Sequence, residues 1–223
     1  QRLTQQAFFP LKRVIIAEPL RYGDMADISD IIRHHHQKDL LHMDVSLLAG
    51  EIQQLDWIAK AGVYKRWPDA VEIKLVERVP IVRWGKEGFL DASGTPFTVP
   101  DSDKLRGLFK LQGPDGYEHQ VLQYYEDIAP WLAARHFDVA RLTLDPRLVW
   151  HVELSGGLDI ILGRDQLNER LKKLVVVNDK VIKPYHPYID AIDLRYHDGF
   201  SVRWKAGVRP VTTEAKDKAK EKK

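Results

Sequence analysis

The spacing of apolar and polar positions changes character near Pro80. Before it, the stretch from Leu11 to Glu18, LKRVIIAE, is rich in β-branched residues and is closed by Pro19, which cannot donate to a sheet ladder, so a first strand is expected. MADISDIIRHHHQ then sets Met25, Ile28, Ile31 and Ile32 at helical spacing, and DVSLLAGEIQQLDWI repeats the pattern with Val45, Leu48, Ile52 and Leu55. In AGVYKRWPDAVEIKLVERVP, Val63, Lys65 and Trp67 alternate with Tyr64 and Arg66, the chain turns at Pro68 and Asp69, and Val71, Ile73 and Leu75 alternate with polar neighbours. The order β-α-α-β-β predicts a three-stranded sheet backed by two helices.

After Pro80 short strand patterns dominate: IVRWG, GFLDASGTPF, LFKLQG, and then RLTLDPRLVWHVELSGGLDIILG, broken into at least three pieces by Pro146 and the SGG turn. Two helical patterns interrupt them. One is YEHQVLQYYEDIAPWLAARH, with Val121, Leu122, Tyr125, Ile128, Trp131 and Leu132 on one stripe; the other is DQLNERLKKLVVVNDKVI, for which Asp165 is the expected cap. A final hairpin, YIDAIDLRYHDGFSVRW, closes the pattern. Because sequential strands usually pair as neighbours, the expectation is an α+β chain whose second part carries a curved antiparallel sheet in sequence order.

Composition narrows the functions open to such a chain. With 44% hydrophobic residues among 223, core material is ample, and 34 Lys and Arg against 32 Asp and Glu leave a formal charge of +2, too weak a field to argue for nucleic acid. The absence of cysteine excludes disulfides, thiolate metal sites and a cysteine nucleophile. No stretch approaches the roughly 18 consecutive apolar residues of a membrane span. The first residue, Gln1, is read as the product of cleavage or truncation, and the final EAKDKAKEKK as a solvated charged tail.

Candidate chemistry is sparse. His34, His35 and His36 are consecutive, so on a helix they point about 100° apart and cannot converge on one ion, which favours a solvated helix end over a metal site. The aspartates at 91, 145 and 198 sit in LDASG, TLDPR and YHDGF, where Asp serves the turn itself. No GxSxG elbow and no glycine-rich phosphate loop is present. Trp84, Trp131 and Trp150 lie on apolar-patterned stretches and are expected in the core.

The last hairpin is the exception. If the sheet follows chain order, GFSVRW lies at its edge, where unpaired N–H and C=O groups form a template for another strand. Phe200, Val202 and Trp204 alternate along it, and Arg195 and Tyr196 precede it. The alternative is that these side chains complete the domain's own core.

Four stretches taken together resemble the FtsQ/DivIB family of bacterial cell-division proteins: VYKRWPDAVEIKLVERVPIVRW at Val63 to Trp84, LDASGTPFTVP at Leu90 to Pro100, LDIILGR at Leu158 to Arg164, and IDLRYHDGFSVRW at Ile192 to Trp204. The resemblance runs from Pro10 to Trp204. It implies a POTRA domain over 10–79 and a mainly β domain over 80–206, with 1–9 as a juxtamembrane linker remnant and 207–223 as a disordered tail. It also implies a single membrane helix ahead of Gln1, and hence a periplasmic domain tethered to the inner membrane at the septum. The implied role is that of a noncatalytic scaffold, without cofactor or metal, that recruits division proteins, chiefly FtsB and FtsL. In such proteins the last strand accepts a strand of FtsB. The matching positions are Arg195, Tyr196, Gly199, Val202 and Trp204, with Phe200 and Ser201 between them; Arg147 falls where a second basic contact is expected. Two other readings stay open: a periplasmic wall hydrolase using carboxylates near Asp91 or Asp145, and an outer-membrane assembly module.

Overall fold

Burial of the periodic apolar positions organises two compact units, 1–108 and 109–223, within a computed structural model that describes residues 9–35 and 39–207. In the first unit, strand β1 (Arg13–Ile16) leads to helices α1 (Met25–His35) and α2 (Val45–Gln53), then to the hairpin β2 (Ile58–Arg66) and β3 (Ala70–Glu77). The sheet order is β1-β3-β2, with β1 parallel and β2 antiparallel to β3. Most of each expected helical stripe faces inward, Ile28 and Ile32 of α1 and Leu48 and Ile52 of α2 being buried against Val63, Val71 and Ile73, whereas Met25, expected on the α1 stripe, opens the helix 40% exposed. Asp44 opens α2, its carboxylate accepting the N–H groups of Ser46 and Leu47 at 3.0 and 3.1 Å. Glu77, at the end of β3, accepts three main-chain N–H groups, from Arg21, Tyr22 and Gly23, at 2.7, 3.0 and 2.8 Å. One side chain therefore ties the β1–α1 connection to the sheet.

The core of this unit continues past Pro80. Strands β4 (Val82–Trp84), β5 (Gly88–Leu90) and β6 (Pro96–Phe97) form an antiparallel meander, and Phe89, Phe97 and Val99 join the cluster of Trp57, Ile58 and the helices. Arg78 pairs with Asp91 at 2.9 Å, and Thr98 donates to Asp56 at 2.9 Å, fastening the meander to β3 and the α2–β2 turn. The two units thus divide at Leu108, about 28 residues beyond the change of sequence pattern.

In the second unit β7 (Lys110–Gln112) runs into α3 (Glu118–Ala133), followed by β8 (Val139–Leu144), β9 (Trp150–Leu154) and β10 (Leu158–Gly163). Helix α4 (Leu167–Val177), a π-helical turn over 178–182 and short helical turns then lead to β11 (Ile189–Asp193) and β12 (Ser201–Trp204). The order β12-β11-β10-β9-β8-β7 follows the chain. The sheet is mixed where a purely antiparallel one was expected. β7 and β8 are parallel because α3 carries the chain back between them, and β10 and β11 are parallel because α4 does the same.

Trp150 is 4% exposed and packs its ring 4.2 Å from that of Tyr124 on α3, whereas Trp84 and Trp131 are only half-buried. Helix α4 is opened by Gln166, whose φ of 55° is left-handed, and not by Asp165; that carboxylate instead pairs with Arg170. Among the described residues no helix is long and apolar enough to cross a membrane. The expectations for 1–8, for His36 and for the tail from 208 onward lie outside the described residues.

Candidate partner-binding site

Register explains how the end of the sheet acquires its surface. Leu142, Val152, Ile160, Ile192 and Val202 stand opposite one another across β8, β9, β10, β11 and β12. The first four are at most 1% exposed, while Val202 is half-exposed, because β12 is the terminal strand and nothing lies beyond it among the described residues. Val202 and Trp204 share this helix-side face by the period of two, and Phe200 precedes them at the end of the loop. Phe200 is 39% exposed, and Trp204 is half-buried by an edge-to-face contact with Tyr185, centroids 5.8 Å apart. Val202 and Trp204 thus pack partly against their own domain and leave an apolar rim exposed at the end of the sheet.

The link from β11 to β12 is a wide loop over 194–200, not the tight glycine turn that YHDGF suggests. Gly199 has no left-handed φ, and a side chain there would meet open space. Tyr196 projects from the loop at 57% exposed, and residues Tyr196 to Ser201 line an open depression of about 460 Å³. Ser201 points to the opposite face of the sheet, in the row of Asp193.

Arg195 is held in place by its own domain. Its Nε donates to both oxygens of Asp193 at 2.9 and 3.0 Å and its Nη2 to Oδ2 at 2.6 Å. Burial pushes the Asp193 carboxyl up, but the hydrogen bonds from Arg195 and the charges of Arg195 and Arg170 outweigh this and hold it below the usual carboxylate range. Arg195 is correspondingly raised by its hydrogen bonds to Asp193.

Arg147 lies on the β8–β9 turn, where Asp145 accepts the N–H groups of Arg147 and Val149, each at 2.8 Å, and Leu148 takes a φ of 61°. Folding brings Arg147 and Arg195 to one depression of about 370 Å³ that also holds Arg164 and Arg170. Sequence reasoning missed these last two, since they come from the end of β10 and the start of α4. Arg170 is occupied, donating to the Leu162 carbonyl at 2.5 Å and to Asp165 at 3.4 Å, and it fills the space where a Cβ on Gly163, at φ 96°, would go. Among the described residues the Arg147 and Arg164 side chains have no partner, so the depression offers unpaired guanidinium donors to an incoming carboxylate.

The alternative carboxylates are committed to their own loops. Asp91 receives the Ser93 and Thr95 N–H groups and the Arg78 guanidinium, and Asp145 serves the Arg147 turn. His34 contacts the Asp30 carbonyl at 2.7 Å, His35 contacts Glu51 at 2.8 Å and His42 contacts Asp39 at 2.6 Å, three separate local partners. Among the described residues no group of His, Asp and Glu is arranged to hold a metal ion.

Comparison with known proteins agrees with this architecture. The model of the FtsQ-type POTRA domain matches residues 9–78, and that of the C-terminal region of the cell division protein FtsQ/DivIB matches residues 82–195. Cell division protein FtsQ of Burkholderia pseudomallei is 33% identical over 220 residues, covering 97% of this chain and 88% of its own length. FtsQ of Cellvibrio japonicus is 32% identical over 198 residues, 89% of this chain but 62% of its own length, and that of Coxiella burnetii is 29% identical over 196 residues, covering 88% and 81%. The chain therefore spans less than two thirds of the Cellvibrio protein. With two adjoining family matches and relatives at this identity over most of its length, the chain belongs to the FtsQ/DivIB family of cell division proteins.

Proposed function

We propose that this chain is the periplasmic part of a noncatalytic scaffold of the division machinery, tethered to the inner membrane at the septum, and that it binds FtsB, and through it FtsL, by strand addition at β12. The observation that carries this reading is the unpaired edge of β12, onto which the buried row from Leu142 to Ile192 extends as the half-exposed Val202. A partner strand laid on that edge would gain main-chain hydrogen bonds and bury Phe200, Val202 and Trp204. Arg195, Tyr196, Gly199 and Ser201 would flank it. The depression holding Arg147, Arg164 and Arg195 would receive an acidic side chain of the partner. The POTRA domain over 10–79 and the β domain over 80–206 that the family resemblance implies fit this reading, the POTRA domain serving other division proteins.

The test is titration of the chain with a peptide from the extracytoplasmic end of its organism's FtsB. Tyr196→Ala should abolish measurable binding with stability unchanged, because Tyr196 is 57% exposed. Trp204→Ala should do the same at a stability cost of about 1–2 kcal/mol, because its ring rests on Tyr185. Undiminished binding by both folded variants would put the interface elsewhere.

A further inference from the structure

Main-chain carbonyls at the surface ordinarily turn to water, but three from the β11–β12 loop converge on one side chain of α4. Lys173 Nζ donates to the carbonyls of Tyr196 at 2.6 Å, His197 at 3.0 Å and Gly199 at 3.2 Å. An ammonium has three N–H groups, and here all are used within one loop. Lys173 itself is half-buried, between the buried Leu171 and Leu174 that anchor α4 to the sheet, so the base of the clasp is fixed. The loop's start is tied down by Leu194 N–H to the Ile161 carbonyl and by Arg195 to Asp193, and His197 contacts Asp198, but among the described residues only Lys173 joins Tyr196, His197 and Gly199 to α4. Gly199 is not left-handed, Tyr196 and His197 point to solvent, and the residues before Ser201 make no ladder with β11.

We infer that Lys173 is a positioning residue for β12: by gathering the Tyr196, His197 and Gly199 carbonyls it holds the loop, and with it the start of the edge strand, in the conformation that a partner strand meets. A four-residue edge strand paired on one side only frays readily, and any ordering left to the moment of association is subtracted from affinity. A charged donor held by the helix does that ordering in the free protein. The contacts are to main-chain oxygens, so the role depends on the ammonium and its reach, not on the loop side chains. This inference rests on the strand-addition reading for its consequence in binding, but the ordering itself is a property of the free chain.

The experiment is amide hydrogen exchange on the free chain, comparing wild type with Lys173→Met and Lys173→Arg. Lys173→Met preserves the apolar stem and should accelerate exchange of those β12 amides that bond to β11 at least about tenfold, with β8–β10 amides unchanged; Lys173→Arg, which restores a charged donor, should recover most of the protection. Unchanged β12 exchange in Lys173→Met would overturn the inference. So would equal acceleration through β8–β10, since Lys173 would then be a general stabiliser. The FtsB peptide supplies a second readout: with ordering lost, the association rate should fall and Lys173→Arg should rescue it. If the peptide fails to bind wild type, the strand-addition reading fails while the exchange result still decides the role of Lys173.

Discussion

Removing Arg195 should separate binding from folding. In the free protein its guanidinium lies along Asp193, Nε to Oδ1 at 2.9 Å and Nη2 to Oδ2 at 2.6 Å, with the arginine side chain 52% exposed and the carboxylate 13% exposed. The Nε/Nη2 edge of the fork is thus engaged, and Arg195 also lines the depression shared with Arg147 and Arg164. Because the pair is half in water, Arg195→Ala should lower stability by only about 0.5–1 kcal/mol. Asp193 keeps the Arg195 main-chain N–H at 3.0 Å in the variant, so it is not left without a partner. If its other edge meets a carboxylate of the bound strand, the same truncation should weaken the FtsB peptide by about 2–5 kcal/mol, roughly 30-fold to a few thousandfold in Kd. Arg195→Lys keeps the charge but loses the fork, and should fall between. Calorimetric titration gives the affinities and urea unfolding the stabilities. A Kd changed less than twofold in Arg195→Ala, or a stability loss as large as the binding loss, would refute the reasoning.

Three further outcomes follow from other parts of the molecule. Glu77→Ala strands the N–H groups of Tyr22 and Gly23 in a partly buried setting and should cost about 2–3 kcal/mol in urea unfolding, with Glu77→Gln, which keeps an acceptor oxygen, losing less. The Tyr124 hydroxyl is buried without a partner among the described residues, and burial pushes its ionisation well up, so Tyr124→Phe should leave stability unchanged or raise it by about 1 kcal/mol on the same assay. His151 is raised above its ordinary value by its hydrogen bond to Asp159, assisted by Asp145 and against its partial burial. A raised folded pKa gives stability that is fully present below about 6.5 and lost as pH climbs through the folded value. Wild type should therefore exceed His151→Asn by more at pH 5.5 than at pH 8.5, and an equal difference at both would contradict the pairing.

Much of the fold was legible because it rests on periodicity. The stripes of α1 and α2 and the alternation of β2 and β3 each point to one face, and that face is the buried one except at their ends, where Met25 in the first turn of α1 and Trp67 just past β2 are exposed. The meander β4–β6 was harder, because strands of two or three residues carry too little pattern to say which core they join; Phe89 and Phe97 are apolar in either case. The parallel pairings were readable in principle from the helices lying between β7 and β8 and between β10 and β11. In the candidate site, Arg195 and Tyr196 stood out by type and position, and the partner of Arg195 was only two residues away at Asp193, the last residue of β11. Arg164, Arg170 and Lys173 did not stand out. Their roles depend on where α4 is laid against the sheet end, and Lys173 meets main-chain oxygens, which leave no mark in a sequence.

Strand addition at β12 is tested most directly by intermolecular nuclear Overhauser effects between the labelled chain and the bound FtsB peptide. A regular ladder of main-chain contacts from Ser201, Val202, Arg203 and Trp204 to successive peptide residues is expected, with peptide side chains alternately over Val202 and over Ser201. A saturated complex whose contacts fall on other strands, or reach β12 only through side chains with no main-chain ladder, would contradict it.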